Sequence, residues 1–240
     1  MTQLESDLQT AKIIFLPEIL KDENVIRVLF TGSRVIGDVN SNSDYDFRVL
    51  LKDGKSRYRK GFYLGDLFAE IFCNSYIQEM SYLHEEATGT DNDALDLYMY
   101  KTGIIIHDPT YKMSEIKSKA TELFDLGPSP LLDIQKDWIR YDLAMNKLKL
   151  ESLDSGDPSL FYIHEVQHKL IDYFFKLHNT WKVRSRDMDD KIKSTDIDFY
   201  NCLLLSLNSS KISESTNALF KSIEYLQIKF KLDTSVEFSV

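Results

Sequence analysis

Phe30-Thr-Gly-Ser-Arg-Val-Ile-Gly-Asp-Val-Asn-Ser-Asn-Ser-Asp-Tyr-Asp46 is the stretch on which the reading of this chain turns. Ahead of it runs Val25-Ile-Arg-Val-Leu-Phe30, and behind it Phe47-Arg-Val-Leu-Leu51. Both segments are rich in β-branched and bulky apolar residues and predict strands, the first buried on both faces. Between them lie two small residues, Gly32 and Ser33, then a helical turn and a polar loop. The second strand opens with Asp44 and Asp46. Side chains i and i+2 of a strand share a face, with Cα atoms ~6.7 Å apart at the usual rise. Two carboxylates so placed can converge on one or two hard cations.

The upstream half supplies a complementary feature. Gly32 permits a tight turn and a close approach to the main chain. Ser33 is expected to open a helix, where N–H groups and the helix dipole attract phosphate, and its hydroxyl can donate to a phosphate oxygen. Mg²⁺ is commonly held by one or two carboxylates together with substrate phosphates. A phosphate cradle beside a carboxylate pair therefore points to handling of a metal–nucleoside triphosphate.

Gly32-Ser33, Gly37 and Ser43-Asp44-x-Asp46 resemble the Gly-Ser-x-x-x-Gly-x-x-x-x-x-Ser-Asp-x-Asp motif of DNA polymerase beta-like nucleotidyltransferases, with the same spacing throughout. The resemblance is specific over residues 25 to about 110. It implies an α+β architecture, a mixed central sheet flanked by helices. Gly32, Ser33, Arg34 and Ser43 are the candidate nucleotide-binding residues, and Asp44 and Asp46 the candidate metal ligands.

Composition sets outer bounds. The 240 residues can bury a large core in one or two domains. A formal net charge of −9 disfavours extended phosphate-backbone binding, so no nucleic acid is expected as a partner. The two cysteines, Cys73 and Cys202, are far apart and form no zinc pattern. No stretch reaches the ~20 apolar residues of a membrane span, and the polar, acidic start is unlike a signal peptide. These features predict a cytoplasmic protein with reduced thiols and no membrane contact.

Residues 4 to 21 predict an amphipathic helix carrying Leu8, Ala11, Ile14 or Phe15, and Ile19, divided in two at Pro17. Five of the nine residues Lys52 to Lys60 are basic. They are expected to form a solvated turn, with triphosphate neutralisation as the functional alternative. Leu67 to Cys73 predicts a strand in which Glu70 is the odd member, since a carboxylate in an apolar run needs a cation or a partner. By the resemblance, Glu70 is a third site carboxylate, as metal ligand or general base, with Asp66 as the competing choice. Residues 75 to 101 show helical spacing, and Gly103-Ile-Ile-Ile-His-Asp-Pro109 reads as a last strand ending in a turn.

Gly127-Pro-Ser-Pro130 marks a boundary. It divides a catalytic domain, residues 1–126, from a helical bundle, residues 131–240. Trp138, Tyr141, Met145 and Leu148 follow one helix face. Ile163, Val166, Leu170, Phe174 and Leu177 follow another, after a break at Gly156-Asp-Pro158. Two further helices are expected near 187–206 and 215–230, making a four-helix bundle. This half is similar in pattern to the helical domain of kanamycin nucleotidyltransferase-like enzymes, notably at Leu177-His-Asn-Thr-Trp181. His164-Glu-Val-Gln-His168 spells a zinc-protease pattern, but its helix carries the packing stripe and no third ligand follows. Glu165, Trp181 and Arg184 are the candidate acceptor-contacting residues.

The combined expectation is Mg²⁺-dependent transfer, through one or two ions, of AMP from ATP to a hydroxyl of a small-molecule acceptor. The resemblance implies an aminoglycoside or lincosamide antibiotic as that acceptor, with release of pyrophosphate. A homodimer is compatible with this reading. Two alternatives stand beside it: adenylylation of a partner protein in a toxin–antitoxin pair, and a non-catalytic nucleotide-binding regulator.

Overall fold

The computed structural model describes residues 1–40, 43–152 and 160–232. They divide into two units: Met1–Gly89 with Ala94–Gly127, and Thr90–Asp93 with Pro128 onward. The first unit is built on a five-stranded mixed sheet. Its strands are β1 (Val25–Thr31), β2 (Tyr45–Leu51), β3 (Tyr58–Leu64), β4 (Leu67–Ser75) and β5 (Ile104–His107), in the spatial order β3-β4-β2-β1-β5. Only the β2–β4 pair is parallel. Alternation divides the sheet chemically. Val28, Phe30, Phe47, Val49, Ile71 and Cys73 are buried in one apolar cluster, whereas Asp46, Arg48, Glu70 and Phe72 occupy the intervening positions and so the opposite face.

The N-terminal helix closes the apolar face. Helix α1 (Gln3–Thr10) runs without interruption through a π turn, Ala11–Phe15, into α2 (Leu16–Ile19). Pro17 therefore does not divide it as the sequence predicts. The Leu16 N–H donates to the Ala11 carbonyl, an i to i−5 bond, and the widened turn accommodates a ring that would clash with a carbonyl four residues back. The extra residue also fixes the helix phase. Phe15 is fully buried with Ala11 and Ile19, and Ile14 is 43% exposed.

Strand β3 arises where the sequence predicts only a solvated turn. Its residues are largely exposed, as suits a sheet edge blunted by Arg59 and Lys60. It enters β4 through Gly65 and Asp66, with φ +61° at Gly65 and Leu64 opposite Leu67, a two-residue hairpin with glycine first. Asp66 thus lies in the turn. Helices α3 (Ser33–Ile36), α4 (Tyr76–Thr88), α5 (Leu95–Thr102) and α6 (Lys112–Leu126) complete the unit. A reciprocal capping box opens α4, in which Ser75 Oγ accepts from the Gln78 N–H and Gln78 Oε1 accepts from the Ser75 N–H. Ser75→Ala is expected to cost about 1 kcal/mol, read as a fall in the thermal midpoint with activity unchanged.

Asp108 likewise has a structural role at the end of β5. It accepts from the Ser114 N–H and hydroxyl at the start of α6 and pairs with Arg27 at 3.4 Å.

The second unit is helical: α7 (Asp133–Ser152), α8 (Leu160–Leu177), α9 (Met188–Thr195), α10 (Ile197–Asn208) and α11 (Ile212–Lys229). Five helices replace the four expected among the described residues. The segment near 187–206 breaks at Asp196, whose carboxylate caps α10 at the Phe199 N–H and also accepts from the Tyr225 hydroxyl. On α7 the buried residues are Ile139, Leu143, Asn146 and Leu150, whereas Trp138, Tyr141 and Leu148 are exposed. The stripe is therefore a different one from that which the large side chains suggest. Helix α8 buries Ile163, Val166, Leu170 and Phe174 as expected. The Gly156-Asp157-Pro158 break lies outside the described residues. Asn92 ties Thr90–Asp93 to this unit, its amide donating to the carbonyls of Phe175 and Thr180, both at 3.1 Å.

Candidate metal and nucleotide site

Two strand registers assemble the site. Asp46 on β2 lies opposite Thr31 on β1 and opposite Glu70 on β4. Asp44 precedes Asp46 by two residues at the mouth of the strand. Asp44, Asp46 and Glu70 each present an oxygen within 4.8 Å of the others, the only such group among the described residues. Three carboxylates this close repel one another, and the structure registers the cost. Burial, then the charges of Asp44 and Glu70, push the Asp46 carboxyl up to about 7, against the opposing influence of Arg48 and Arg59. Oxygen-only donors that crowd their own charge fit a hard divalent cation.

The loop after β1 meets this carboxylate directly. Gly32 has φ +80°, and a Cβ built there would fall 2.1 Å from Asp46 Oδ2. Only glycine allows both the backbone conformation and the approach. Ser33 begins α3, which is a single turn of four residues closed by Gly37 at φ +79°. A turn this short develops little of the macrodipole that the sequence suggests.

Arg34, expected as a nucleotide contact, has protein partners on three sides. Its guanidinium donates to Asp7 at 2.9 Å, to the Asp44 carbonyl at 3.0 Å and to the Ser43 carbonyl, and it lies 4.1 Å from the Tyr45 ring centroid. Ser43 Oγ accepts from the Asn40 N–H at 3.0 Å. Arg34 is thus a clamp that holds the Asp44 end of the loop against α1. Asp7, 2% exposed, also accepts from the Tyr45 hydroxyl at 2.9 Å. Burial and that bond raise the Tyr45 pKa. Sequence reasoning missed Asp7. The available signal was an acidic residue on a helix destined for an apolar sheet face, which needs a cation there.

Glu70 has a partner as well. Arg59 Nε and Nη2 each donate to one Glu70 oxygen at 2.7 Å. Beside them, Arg48 and Arg59 lie 4.4 and 4.5 Å from the Phe72 ring centroid, and Arg48 pairs with Asp96. Further along the same face of the β3–β4 hairpin, Tyr63 and Phe68 pack at a centroid distance of 4.8 Å. Phe68 rests on Gly61, where a Cβ would approach it to 2.6 Å.

The remaining predicted residues belong to the second unit. Glu165 is exposed and pairs with Lys169 at 3.1 Å. Trp181 is buried, which removes it as an exposed lid, and Arg184 is held by Asp187 at 2.8 and 2.9 Å. His164 faces Gln167 at 2.9 Å, and neither it nor His168 joins a metal-ligating group among the described residues.

The family model for the nucleotidyltransferase domain matches residues 14–120. This span contains β1 to β5 and every member of the acidic group. Among solved structures, the chain is similar to a nucleotidyltransferase-like protein from Exiguobacterium sibiricum 255-15. The two share 13% identity with a TM-score of 0.52, and the alignment covers 94% of this chain and 76% of the other. That likeness is one of fold. No curated protein sequence matches the chain. The first unit thus carries a nucleotidyltransferase domain, and nucleotidyl transfer is its class of reaction.

Proposed function

We propose that this nucleotidyltransferase domain transfers AMP from ATP to a hydroxyl of a small-molecule acceptor, with Mg²⁺ and release of pyrophosphate. The observation that carries the reading is the contact of Gly32 with Asp46 beside Asp44 and Glu70. It sets the main chain of a candidate phosphate loop against the carboxylates that would hold the ion. Asp44, Asp46 and Glu70 fit a divalent cation. Such an ion, when bound, neutralises phosphoryl oxygens and the charge that develops during in-line attack.

The chain's own groups take the other parts. Ser33 and the neighbouring N–H groups bind terminal phosphates. Arg34 and Asp7 fix the loop. Glu70 lies toward the β3–β4 side of the acidic group, opposite the Gly32–Ser33 turn. In-line geometry brings the acceptor from that side, past Glu70 and the Tyr63–Phe68 pair. An aminoglycoside or lincosamide is the leading acceptor class. The acidic chain suits a polycationic acceptor.

The test is pyrophosphate release from ATP, GTP, CTP and UTP with Mg²⁺ against a panel of aminoglycosides and lincosamides. Acceptor-dependent release supports the reading and names the base and the acceptor class. Nucleotide binding without release for any member of the panel overturns the small-molecule acceptor.

Metal binding is expected to be pH-dependent. The folded state holds a proton on Asp46 between its ordinary carboxyl range and about 7, whereas the unfolded chain has lost it. Stability of the cation-free protein therefore falls as pH rises across that window. A cation favours the ionised form and competes with the proton. Affinity at pH 5.5 should be roughly thirtyfold weaker than at pH 8. The rise in thermal midpoint caused by Mn²⁺ should be clear at pH 8 and nearly absent at pH 5.5.

A further inference from the structure

We propose that Arg59 is a built-in competitor for the cation: it holds Glu70 in the ion-free site and must release it before Glu70 acts as ligand or base. The proposal rests on the metal-site reading above. Its basis is the fork, with Nε on one Glu70 oxygen and Nη2 on the other, each at 2.7 Å. A guanidinium in this arrangement engages both carboxylate oxygens at once. Glu70 is a member of the one acidic group among the described residues able to hold a metal. The same carboxylate therefore has two claimants, one covalently attached to the chain and one drawn from solution.

The sheet makes the arrangement specific. Arg59 stands opposite Phe72 on β4, and Phe72 stands opposite Arg48 on β2. Two guanidinium groups thus share one ring, yet they differ in function. Arg48 is buried and bound to Asp96, while Arg59 pairs with a member of the acidic group itself. The Arg59 side chain is 63% exposed on the outermost strand, and that of Glu70 is 20% exposed. Arg59 can leave without uncovering a buried charge on itself. Glu70, one strand inward, keeps its position. An ion pair of this exposure is modest in strength and screened by salt. It therefore sets a threshold for the cation rather than a block, and the threshold falls as ionic strength weakens the pair.

A residue that merely supported Glu70 would have the opposite signature. Its loss would disorder a ligand and weaken cation binding. Loss of a competitor strengthens it.

The experiment is calorimetric titration of Mn²⁺ into the full chain at pH 8, comparing wild type, Arg59→Gln and Arg59→Lys. Arg59→Gln is expected to bind Mn²⁺ roughly two- to fivefold more tightly, the range for relief of a partly exposed pair. Arg59→Lys keeps the charge without the fork and should fall between the two. It also serves as the check should the glutamine variant fold poorly. Equal or weaker binding by Arg59→Gln, with binding by wild type intact, overturns the competitor role alone. Absence of Mn²⁺ binding by wild type and both variants overturns the metal-site reading itself.

Discussion

Asp46→Asn should abolish nucleotidyl transfer and, at the same time, make the cation-free protein more stable. The two effects share one cause. Asp46 is the central carboxylate of the acidic group, and its carboxyl is pushed up to about 7 by burial and by Asp44 and Glu70. Above that pH the folded state carries an ionised group that its surroundings disfavour. Removing the charge relieves up to about 4 kcal/mol, at 1.36 kcal/mol per pKa unit. The variant should therefore melt several degrees higher than wild type at pH 8, measured in a chelator. At pH 4.5, where wild-type Asp46 is protonated when folded, most of the difference should vanish. Turnover should fall by about a thousandfold or more, because an amide cannot replace a carboxylate ligand of a hard cation. A variant that turned over normally would remove Asp46 from the site. A variant less stable than wild type at pH 8 would mean that the three carboxylates do not crowd one another.

Gly32→Ala and Gly37→Ala are expected to part company, although the two glycines share a backbone conformation. Their φ angles are +80° and +79°. An alanine at either position pays a conformational cost of about 1–2 kcal/mol. Nothing lies within 4 Å of the Cβ that Gly37→Ala would introduce, whereas that of Gly32→Ala would stand 2.1 Å from Asp46 Oδ2 and 2.9 Å from Asp46 Cβ. Asp46 has to move by about an ångström, since such contacts do not occur between real atoms. Displacement on that scale costs about a hundredfold in rate where groups must be aligned. Gly32→Ala should therefore lose at least that much activity, and Gly37→Ala should stay within severalfold of wild type. The two melting temperatures should fall by similar amounts, because Asp46 is a side chain that can yield. Equal activities would show that the approach of Gly32 to Asp46 has no functional weight.

Much of this is legible in the sequence. Val25–Phe30 and Phe47–Leu51 announce strands by their β-branched and apolar content, and β1 and β2 are where they place them. The Gly-Ser and Asp-x-Asp spacing carried the nucleotidyltransferase domain, and an isolated Glu70 in an apolar run was a signal that it needs a cation. What failed were inferences in which a local pattern stood for a tertiary partner. The basic stretch ending in Lys60 looks like a turn, because strand content at a sheet edge is masked by the charges that protect the edge. Trp138 and Tyr141 look like core because they are large, yet α7 buries the smaller Ile139 and Leu143. Arg34 follows Ser33 and reads as a nucleotide contact, and no local window of sequence shows that its guanidinium also donates to Asp7, 27 residues earlier in the chain.

The amino-acid sequence by itself determined strands β1, β2, β4 and β5, the residues at the turn after β1 and the chemistry of the carboxylates, since each follows from local sterics, from side-chain periodicity or from fixed spacing. Tertiary structure alone decided that Asp46 and Glu70 stand opposite each other, that Gly32 touches Asp46, and that Arg34 and Arg59 answer to Asp7 and Glu70. These are matters of register and of packing between segments tens of residues apart. Strand pairing is set by the burial of whole faces at once, and no local window of sequence contains that information.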